Sequence, residues 1–288
     1  MEGAFSIASA AAARAQAPAI SVSGLRVRAG ATELLHGVDA TFPSERVTAV
    51  IGPTGCGKTT LLRALNRLHD ETPGIEVSGG TVRLGNRDVY REIQGVRELR
   101  RRVGMVFQRP NPFPQSILDN ITIGPRIHGL ARRGQLRHLA EEKLRQVGLW
   151  DAVKDRLSHS PFSLSGGQQQ LLCFARALSV QPEVLLLDEP TSSLDPATTQ
   201  SIERLLTRLR GRVTVIMVSH NLGQVRRVAD HVVFLLEGRQ VESGDAEQFF
   251  RTPSDPRSRA YVAEEIGADE RNPSALSRIS TNSLEVSR

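Results

Sequence analysis

The sequence is poor in aromatic residues and cysteine, and it has no long apolar run. Aromatic side chains make up 4% of the 288 residues, so aliphatic residues must build the core. The two cysteines, Cys56 and Cys173, are too few for a disulfide framework and are predicted to be packing residues. Because no run of eighteen apolar residues exists, no membrane-spanning helix is predicted.

Lysine is also scarce, although the chain is basic. It occurs only at Lys58, Lys143 and Lys154, and arginine supplies the rest of a formal net charge of +6. Such a charge balance suits nucleic acid, anionic lipid or nucleotide as a partner. The arginines are scattered, however, and no basic stripe alternates with aromatic residues. Nucleic acid is therefore not predicted as a partner.

Both ends of the chain read as tails. Residues 1–18 contain an Ala/Ser run but carry Glu2 and no early basic residue, which favours a flexible tail over a secretory signal. Residues 266–288 are polar and aperiodic, and we predict a second loose tail there. The folded domain is therefore expected to span residues 19–265.

Hydrophobic periodicity indicates an α/β fold. Residues 19–30 and 38–52 alternate apolar and polar side chains as strands do, whereas "EVLLLDEP" and "VTVIMVSH" are apolar runs typical of strands buried on both faces of a parallel sheet. Residues 109–163 start with a proline-rich loop and continue with helical patterns. We interpret this section as a helical insert between two halves of the core.

The stretch "GPTGCGKT", Gly52–Thr59, matches the phosphate-loop motif in full. It follows an apolar strand and opens a helix, which is the context the motif requires. Its glycines allow backbone N–H groups to wrap a phosphate, Lys58 can reach the β- and γ-phosphate oxygens, and Thr59 can ligate Mg²⁺. The alternative, a glycine-rich turn with a chance lysine, leaves the flanking strand and helix unexplained.

Polar residues follow three other predicted strands. Asp188 and Glu189 end an apolar strand, where Asp188 suits Mg²⁺ and Glu189 suits a group that positions the attacking water. An acid in this place can instead cap a helix. Gln108 and His220 also end strands, at the sheet edge where ligands of α/β proteins bind, and each alone is weak evidence.

A second anion-binding pattern lies at "LSGGQ", residues 164–168. Ser165 can cap the following helix, Gly166 and Gly167 allow close approach to an anion, and Gln168 supplies amide hydrogens. The stretch has no lysine and no metal ligand, so it can only complete a phosphate site held elsewhere. An ordinary capped helix would explain the serine but not the paired glycines.

These motifs occur in the order found in ATP-binding cassette (ABC) ATPases, and the chain resembles that family over about residues 19–265. The resemblance implies a P-loop NTPase (RecA-like) core with an antiparallel β subdomain and a helical subdomain. It implies ATP and Mg²⁺ as cofactors, with catalytic roles for Lys58, Gln108, Glu189 and His220. The remaining residues implied in ATP binding are Gly52, Pro53, Thr54, Gly55, Cys56, Gly57, Thr59, Thr60, Ser165, Gly166, Gly167, Gln168 and Asp195; those implied for the metal are Thr59, Gln108 and Asp188.

The same resemblance implies partners. In the family, two cassettes pack head to tail, and the glycine-rich signature of one closes on the ATP of the other. Segments such as "RPNPFPQSI" and the triple glutamine 168–170 resemble the phosphate-import branch. That branch implies two membrane permease subunits, an indirect link to an external phosphate-binding protein, and a peripheral place on the cytoplasmic face of the cell membrane. A cassette for amino acids or phosphonate, and a soluble non-transport ATPase, stay open as alternatives.

The chain departs from that branch at two places. Leu171 stands where an arginine is expected, and we predict a weaker dimer contact in consequence. The aromatic residue on which adenine stacks is also missing, because residues 28–29 are Arg28 and Ala29. A guanidinium group is planar, so Arg28 is predicted to stack on the base instead.

Overall fold

A computed structural model describes residues 20–93 and 95–270 of the chain. The tail predicted at 1–18 lies outside the described residues, as does most of the tail predicted at 266–288. The last helix runs to Glu270, past the domain end predicted at residue 265.

Two sheets form the described part of the fold. The strands are β1 Ile20–Ala29, β2 Thr32–Phe42, β3 Val47–Ile51, β4 Ile75–Leu84, β5 Arg87–Asp88, β6 Val103–Val106, β7 Val184–Asp188, β8 Thr214–Val218, β9 His231–Leu236 and β10 Arg239–Asp245. One sheet is antiparallel in the order β2-β1-β4-β5. The other has the order β10-β9-β3-β8-β7-β6, in which all neighbours are parallel except β10 and β9.

Helices cover the larger sheet and fill the segment between β6 and β7. They are α1 Lys58–Leu65, α2 Val96–Arg102, α3 Ile117–Ile127, α4 Leu136–Gln146, α5 Trp150–Val153, α6 Gly166–Ser179, α7 Pro196–Leu209, α8 Leu222–Val228, α9 Ala246–Arg251 and α10 Pro256–Glu270. Short 3₁₀ helices lie at Leu68–Glu71, Arg133–Gln135 and Pro161–Ser163.

The parallel strands are buried on both faces, as their apolar runs predict. Along β7, Leu185 and Leu187 join the hydrophobic cluster formed with α6 and α7, whereas Val184 and Leu186 join the cluster formed with the antiparallel sheet and α1. A strand with period two therefore supplies two cores at once. Since β3, β7 and β8 run parallel, the polar residues that follow them meet at one edge of the sheet.

The helical insert is held close to that edge. Among the helices predicted for this insert, α4 packs with α3 and α6. Ser116 caps α3, and the buried side chain of Asn120 accepts a hydrogen bond from the N–H of Phe113 at 2.8 Å and donates to its carbonyl at 3.1 Å. The proline-rich loop after β6 is thereby fastened to α3.

The structure places Leu171 in the hydrophobic core, which changes the interpretation of this position. Leu171 is 7% exposed and packs in the cluster shared by α6, α7 and the larger sheet. A residue buried within its own chain makes little contact with a second copy. The weaker dimer contact predicted from the sequence therefore has no support in this geometry.

We expect Leu171→Arg to destabilise the fold by about 1–3 kcal/mol, because the guanidinium group would lose water without a partner in the cluster. Urea unfolding of the free chain measures this change. The control is Leu171→Met, which keeps the volume and should cost less than about 1.5 kcal/mol. Equal stability of the arginine variant and the wild type would show that the site opens to solvent.

Candidate active site

The phosphate loop between β3 and α1 has a conformation that only glycine permits. Gly52 has φ 144°, and a Cβ atom there would lie 2.1 Å from the carbonyl oxygen of Leu235 on β9. Gly57 has φ 101°, and its Cβ atom would lie 2.6 Å from a methyl carbon of Leu35 on β2. The two glycines let the loop pack between the two sheets, so the sequence pattern and the packing have the same cause.

Lys58 is folded back onto this loop. Its ammonium group donates to the carbonyl oxygens of Gly52 at 2.7 Å and Pro53 at 2.8 Å. Its third donor faces the sulfur of Cys56 at 3.9 Å, a weak acceptor that a phosphate oxygen can replace. Lys58 can therefore hold the loop with two hydrogen bonds and contact a bound phosphate with its third donor.

Thr59 and Asp188 bring together a hydroxyl and a carboxylate. The Thr59 hydroxyl donates to Asp188 Oδ1 at 2.9 Å, and Asp188 is only 7% exposed. Burial raises the pKa of Asp188, and the hydrogen bond from Thr59 partly opposes this. A divalent cation would offset the free-energy cost of burying the charged carboxylate of Asp188. The pair fits Mg²⁺, which takes few protein ligands and keeps water or phosphate oxygens as its other ligands. Among the described residues, no group of three or more His, Cys, Asp or Glu side chains could hold a metal ion.

Glu189 is the centre of a second cluster. Its Oε2 atom accepts a hydrogen bond from the Gln108 amide at 3.2 Å and lies 3.2 Å from His220 Nδ1. Glu189 has φ 45°, a left-handed conformation uncommon outside glycine, while its N–H donates to Val218 on β8. The three strand-end residues named by the sequence analysis therefore meet at one carboxylate.

Gln170 braces this cluster from the signature helix α6. It is fully buried, and its amide donates to the carbonyl oxygens of Phe107 at 3.0 Å and Pro190 at 3.1 Å. Phe107 precedes Gln108, and Pro190 follows Glu189. One side chain therefore fixes the distance between the two strand ends, a role that the sequence analysis missed because it depends on contacts across the fold.

The signature itself forms a capping box. Ser165 Oγ accepts from the N–H of Gln168 at 3.3 Å, and the Gln168 side chain accepts from the N–H of Ser165 at 3.2 Å. Open space surrounds Gly166, whereas a Cβ atom at Gly167 would lie 2.5 Å from the Thr198 hydroxyl. Thr198 is in turn bonded to Asp195, which caps α7. The second glycine is therefore needed for packing against α7.

A cleft of about 430 Å³ lies over the phosphate loop. The predicted residues that line it are Thr54, Gly55, Gly57, Lys58, Thr59, Thr60 and Glu189. Arg28, Asp195 and the signature residues Ser165–Gln168 are not part of its lining. The Arg28 guanidinium is paired with Glu76 on the neighbouring strand β4, so the structure gives no geometric basis for its predicted stacking on a base.

Part of the cleft lining was not predicted from the sequence. It consists of Glu33, Leu34 and His36 of β2, together with Glu237 and Gly238 of the β9–β10 turn. These residues match no motif. A glycine in the turn at 237–238 indicates that another segment packs closely against it, but only the fold shows that this segment is β2.

A phosphate loop, a strand-end acid pair and a glycine-capped signature helix on this two-sheet fold define an ATP-binding cassette. The sequence profile described as "ABC transporter" matches residues 35–192. The chain belongs to the ABC transporter family, which confirms the family and fold class predicted from the sequence.

Curated relatives narrow the likeness further. The chain is 52% identical over 249 residues to "Phosphate import ATP-binding protein PstB 2" of Mycobacterium tuberculosis, covering 86% of this chain and 90% of that protein. It is 54% identical over 234 residues to "Phosphate import ATP-binding protein PstB" of Mycobacterium intracellulare, covering 81% of each. It is 48% identical to "Phosphate import ATP-binding protein PstB 1" of Vibrio parahaemolyticus, covering 86% and 91%.

A solved structure shares the fold. The bacterial Atm1-family ABC exporter with ATP bound superposes with a TM-score of 0.73 at 24% identity. The match covers 88% of this chain and 42% of the exporter chain. Within residues 20–93 and 95–270, none of the helices has the length and apolarity needed to cross a bilayer.

We expect Asp188→Asn to melt at the same temperature as the wild type or higher at pH 7.5 without metal. Folding raises the pKa of Asp188, so its ionised form destabilises the fold above that pKa, and the effect fades as the pH falls through it. Asparagine keeps an acceptor for Thr59 and has no charge to bury. Thermal melts with and without Mg²⁺ and ATP measure this, with the exposed Asp151→Asn as control. A lower melting temperature of Asp188→Asn than of the wild type without metal would show that the buried charge of Asp188 does not destabilise the fold.

Proposed function

We propose that the chain is the ATP-hydrolysing subunit of an importer of inorganic phosphate. Hydrolysis is supported above all by the position of Glu189, which lines the cleft over the phosphate loop and contacts Gln108 and His220. The transported solute is supported by relatives about half identical over most of the chain, all named for phosphate import.

The chemistry is an in-line attack of water on the terminal phosphate, which breaks the bond to the bridging oxygen of the β-phosphate and releases ADP, inorganic phosphate and the proton of the water. Glu189 orients the water, while Lys58 and His220 contact the terminal phosphate and stabilise the charge that develops on it. Thr59, Asp188 and Gln108 would hold Mg²⁺, which would supply further positive charge beside the phosphates. Gln108 donates to both Glu189 and Ser192 at 3.2 Å, so it links the loop after β6 to the segment after β7.

The second half of each site comes from another copy of the chain. Ser165 and Gly166 are exposed at the start of α6 and do not line the cleft of their own chain. The positive end of the α6 dipole suits a phosphate presented from outside. Closure of a head-to-tail dimer on two ATP molecules, followed by opening after hydrolysis, is the working cycle in this proposal.

The helical insert carries the surface for two permease subunits at the cytoplasmic face of the membrane. The exposed large apolar side chains of the described part all lie there: Phe113, Ile127, Leu130 and Phe162. Phe113 belongs to the loop that follows Gln108, and Arg176 stacks on its ring at 4.3 Å while bonding to Asn111. A rigid loop thus connects the site to an apolar surface of the kind that marks protein interfaces.

We expect Glu189→Gln to lower steady-state ATP hydrolysis by at least about 100-fold, because the neutral amide no longer orients the water as a carboxylate does. ATP binding should be retained, since the phosphate loop is unchanged. ATP should also drive more of this variant into a dimer, measured by gel filtration.

Phosphate release, calorimetry and gel filtration on the same preparation separate these effects. Glu247→Gln, which removes an exposed carboxylate on α9, is the matched control and should behave as the wild type. Wild-type turnover of Glu189→Gln would remove Glu189 from the mechanism, and an ATP-independent monomer would argue against the shared site.

Transport requires the full complex. We expect vesicles containing the chain, its permease subunits and the binding protein to take up inorganic phosphate when ATP is supplied, and Glu189→Gln to abolish that uptake. Phosphonate and amino acids are the comparison solutes. Uptake of either in place of phosphate would redirect the assignment to another importer, and ATP hydrolysis that never responds to the permease would favour a non-transport ATPase.

A further inference from the structure

The cleft has a wall that the phosphate chemistry does not use. The lining consists of the phosphate loop and Glu189, and of residues from β2 and the β9–β10 turn. ATP has a phosphate end and a base end. If the phosphates lie on the loop, as the proposed function requires, the wall formed by β2 is available to the rest of the nucleotide.

Strand β2 is pressed directly against the phosphate loop. It is an edge strand of the antiparallel sheet, and its pairing with β1 skips Leu34 between Leu35 and Glu33. The carbonyl oxygen of Leu34 would lie 3.3 Å from a Cβ atom at Gly57. Bulges of this kind redirect side chains, and they are common beside active sites. Here the irregularity lies at the edge of the cleft.

His36 is held at two edges of its ring. Its Nδ1 atom lies 3.1 Å from Glu33 Oε2, and its Cδ2 atom would be 2.6 Å from a Cβ atom at Gly238. The backbone is fixed as well, because its N–H donates to Gly238 at 2.9 Å. The side chain is 32% exposed. A ring held by its edges keeps its faces for a flat ligand.

No other described residue that lines the cleft has an aromatic ring. Leu34 offers only aliphatic surface, and the carboxylates of Glu33 and Glu237 repel phosphate and offer poor stacking. Arg28 is engaged with Glu76 away from the cleft. Every nucleotide base has a π-face and can therefore stack on a flat aromatic ring.

We propose that His36 stacks on the adenine base of bound ATP and that Glu33 positions the imidazole ring for this contact. His36 thereby replaces the aromatic residue that is missing at 28–29. This inference rests on the proposed binding of ATP by the phosphate loop, but it concerns the base and not the phosphates.

The test compares two apolar variants of similar size, His36→Phe and His36→Leu, with the wild-type chain. Both lose the contact with Glu33, and only phenylalanine keeps a flat face. Isothermal titration calorimetry with Mg·ATP should show His36→Leu about 5- to 50-fold weaker than the wild type and His36→Phe within about 3-fold of it. His138→Leu, at an exposed histidine of α4 that does not line the cleft, is the control and should bind ATP as the wild type does.

A parallel titration with magnesium tripolyphosphate, which has no base, separates stacking from phosphate contact. All four proteins should bind it equally. Equal ATP affinity of the leucine and phenylalanine variants would overturn the proposal, as would an equal loss of ATP and tripolyphosphate affinity in His36→Leu. The wild-type titration tests the proposed function by itself, since a wild type that binds neither ligand overturns both proposals, whereas one that binds both leaves the His36 variants to decide the stacking.

Discussion

The rest of the site depends on one packing constraint: the phosphate loop passes so near β9 that position 52 has no room for a side chain. A Cβ atom at Gly52 would lie 2.1 Å from the carbonyl oxygen of Leu235. Gly57 meets β2 in the same way from the other sheet. The loop is therefore clamped between both sheets, and Lys58, which donates to two of its carbonyls, starts α1 in a fixed direction.

The parallel sheet then positions the strand-end residues relative to this loop. Because β7 and β8 run beside β3, Asp188 reaches Thr59, and Glu189 reaches His220. Gln170 then spans the backbone beside Gln108 and Glu189, which links the signature helix to both. A movement of α6 would therefore shift the backbone beside Glu189 as well. The proposed coupling between the signature, Glu189 and the helical insert runs through these hydrogen bonds.

The structure adds most at positions that the sequence analysis interpreted only from their neighbours in the chain. Leu171 lies beside the signature in sequence, but the helical turn directs it into the core. Arg28 lies where a stacking residue is expected, and in the structure its guanidinium group is paired with the cross-strand carboxylate of Glu76. His36 carries no motif and lines the cleft because β2, the phosphate loop and the β9–β10 turn converge there.

The sequence by itself determined the class of fold and named the strand-end residues that the structure brings together, because motifs such as Gly52–Thr59 and the strand-end pair Asp188–Glu189 combine local conformation with local chemistry. Periodicity identified the buried parallel strands for the same reason, since their environment repeats along the chain. Only the tertiary structure decided that side chains of β2 and the β9–β10 turn line the cleft, and that Gln170 braces the strand ends. Those roles depend on distances between segments far apart in the chain, which no local pattern encodes.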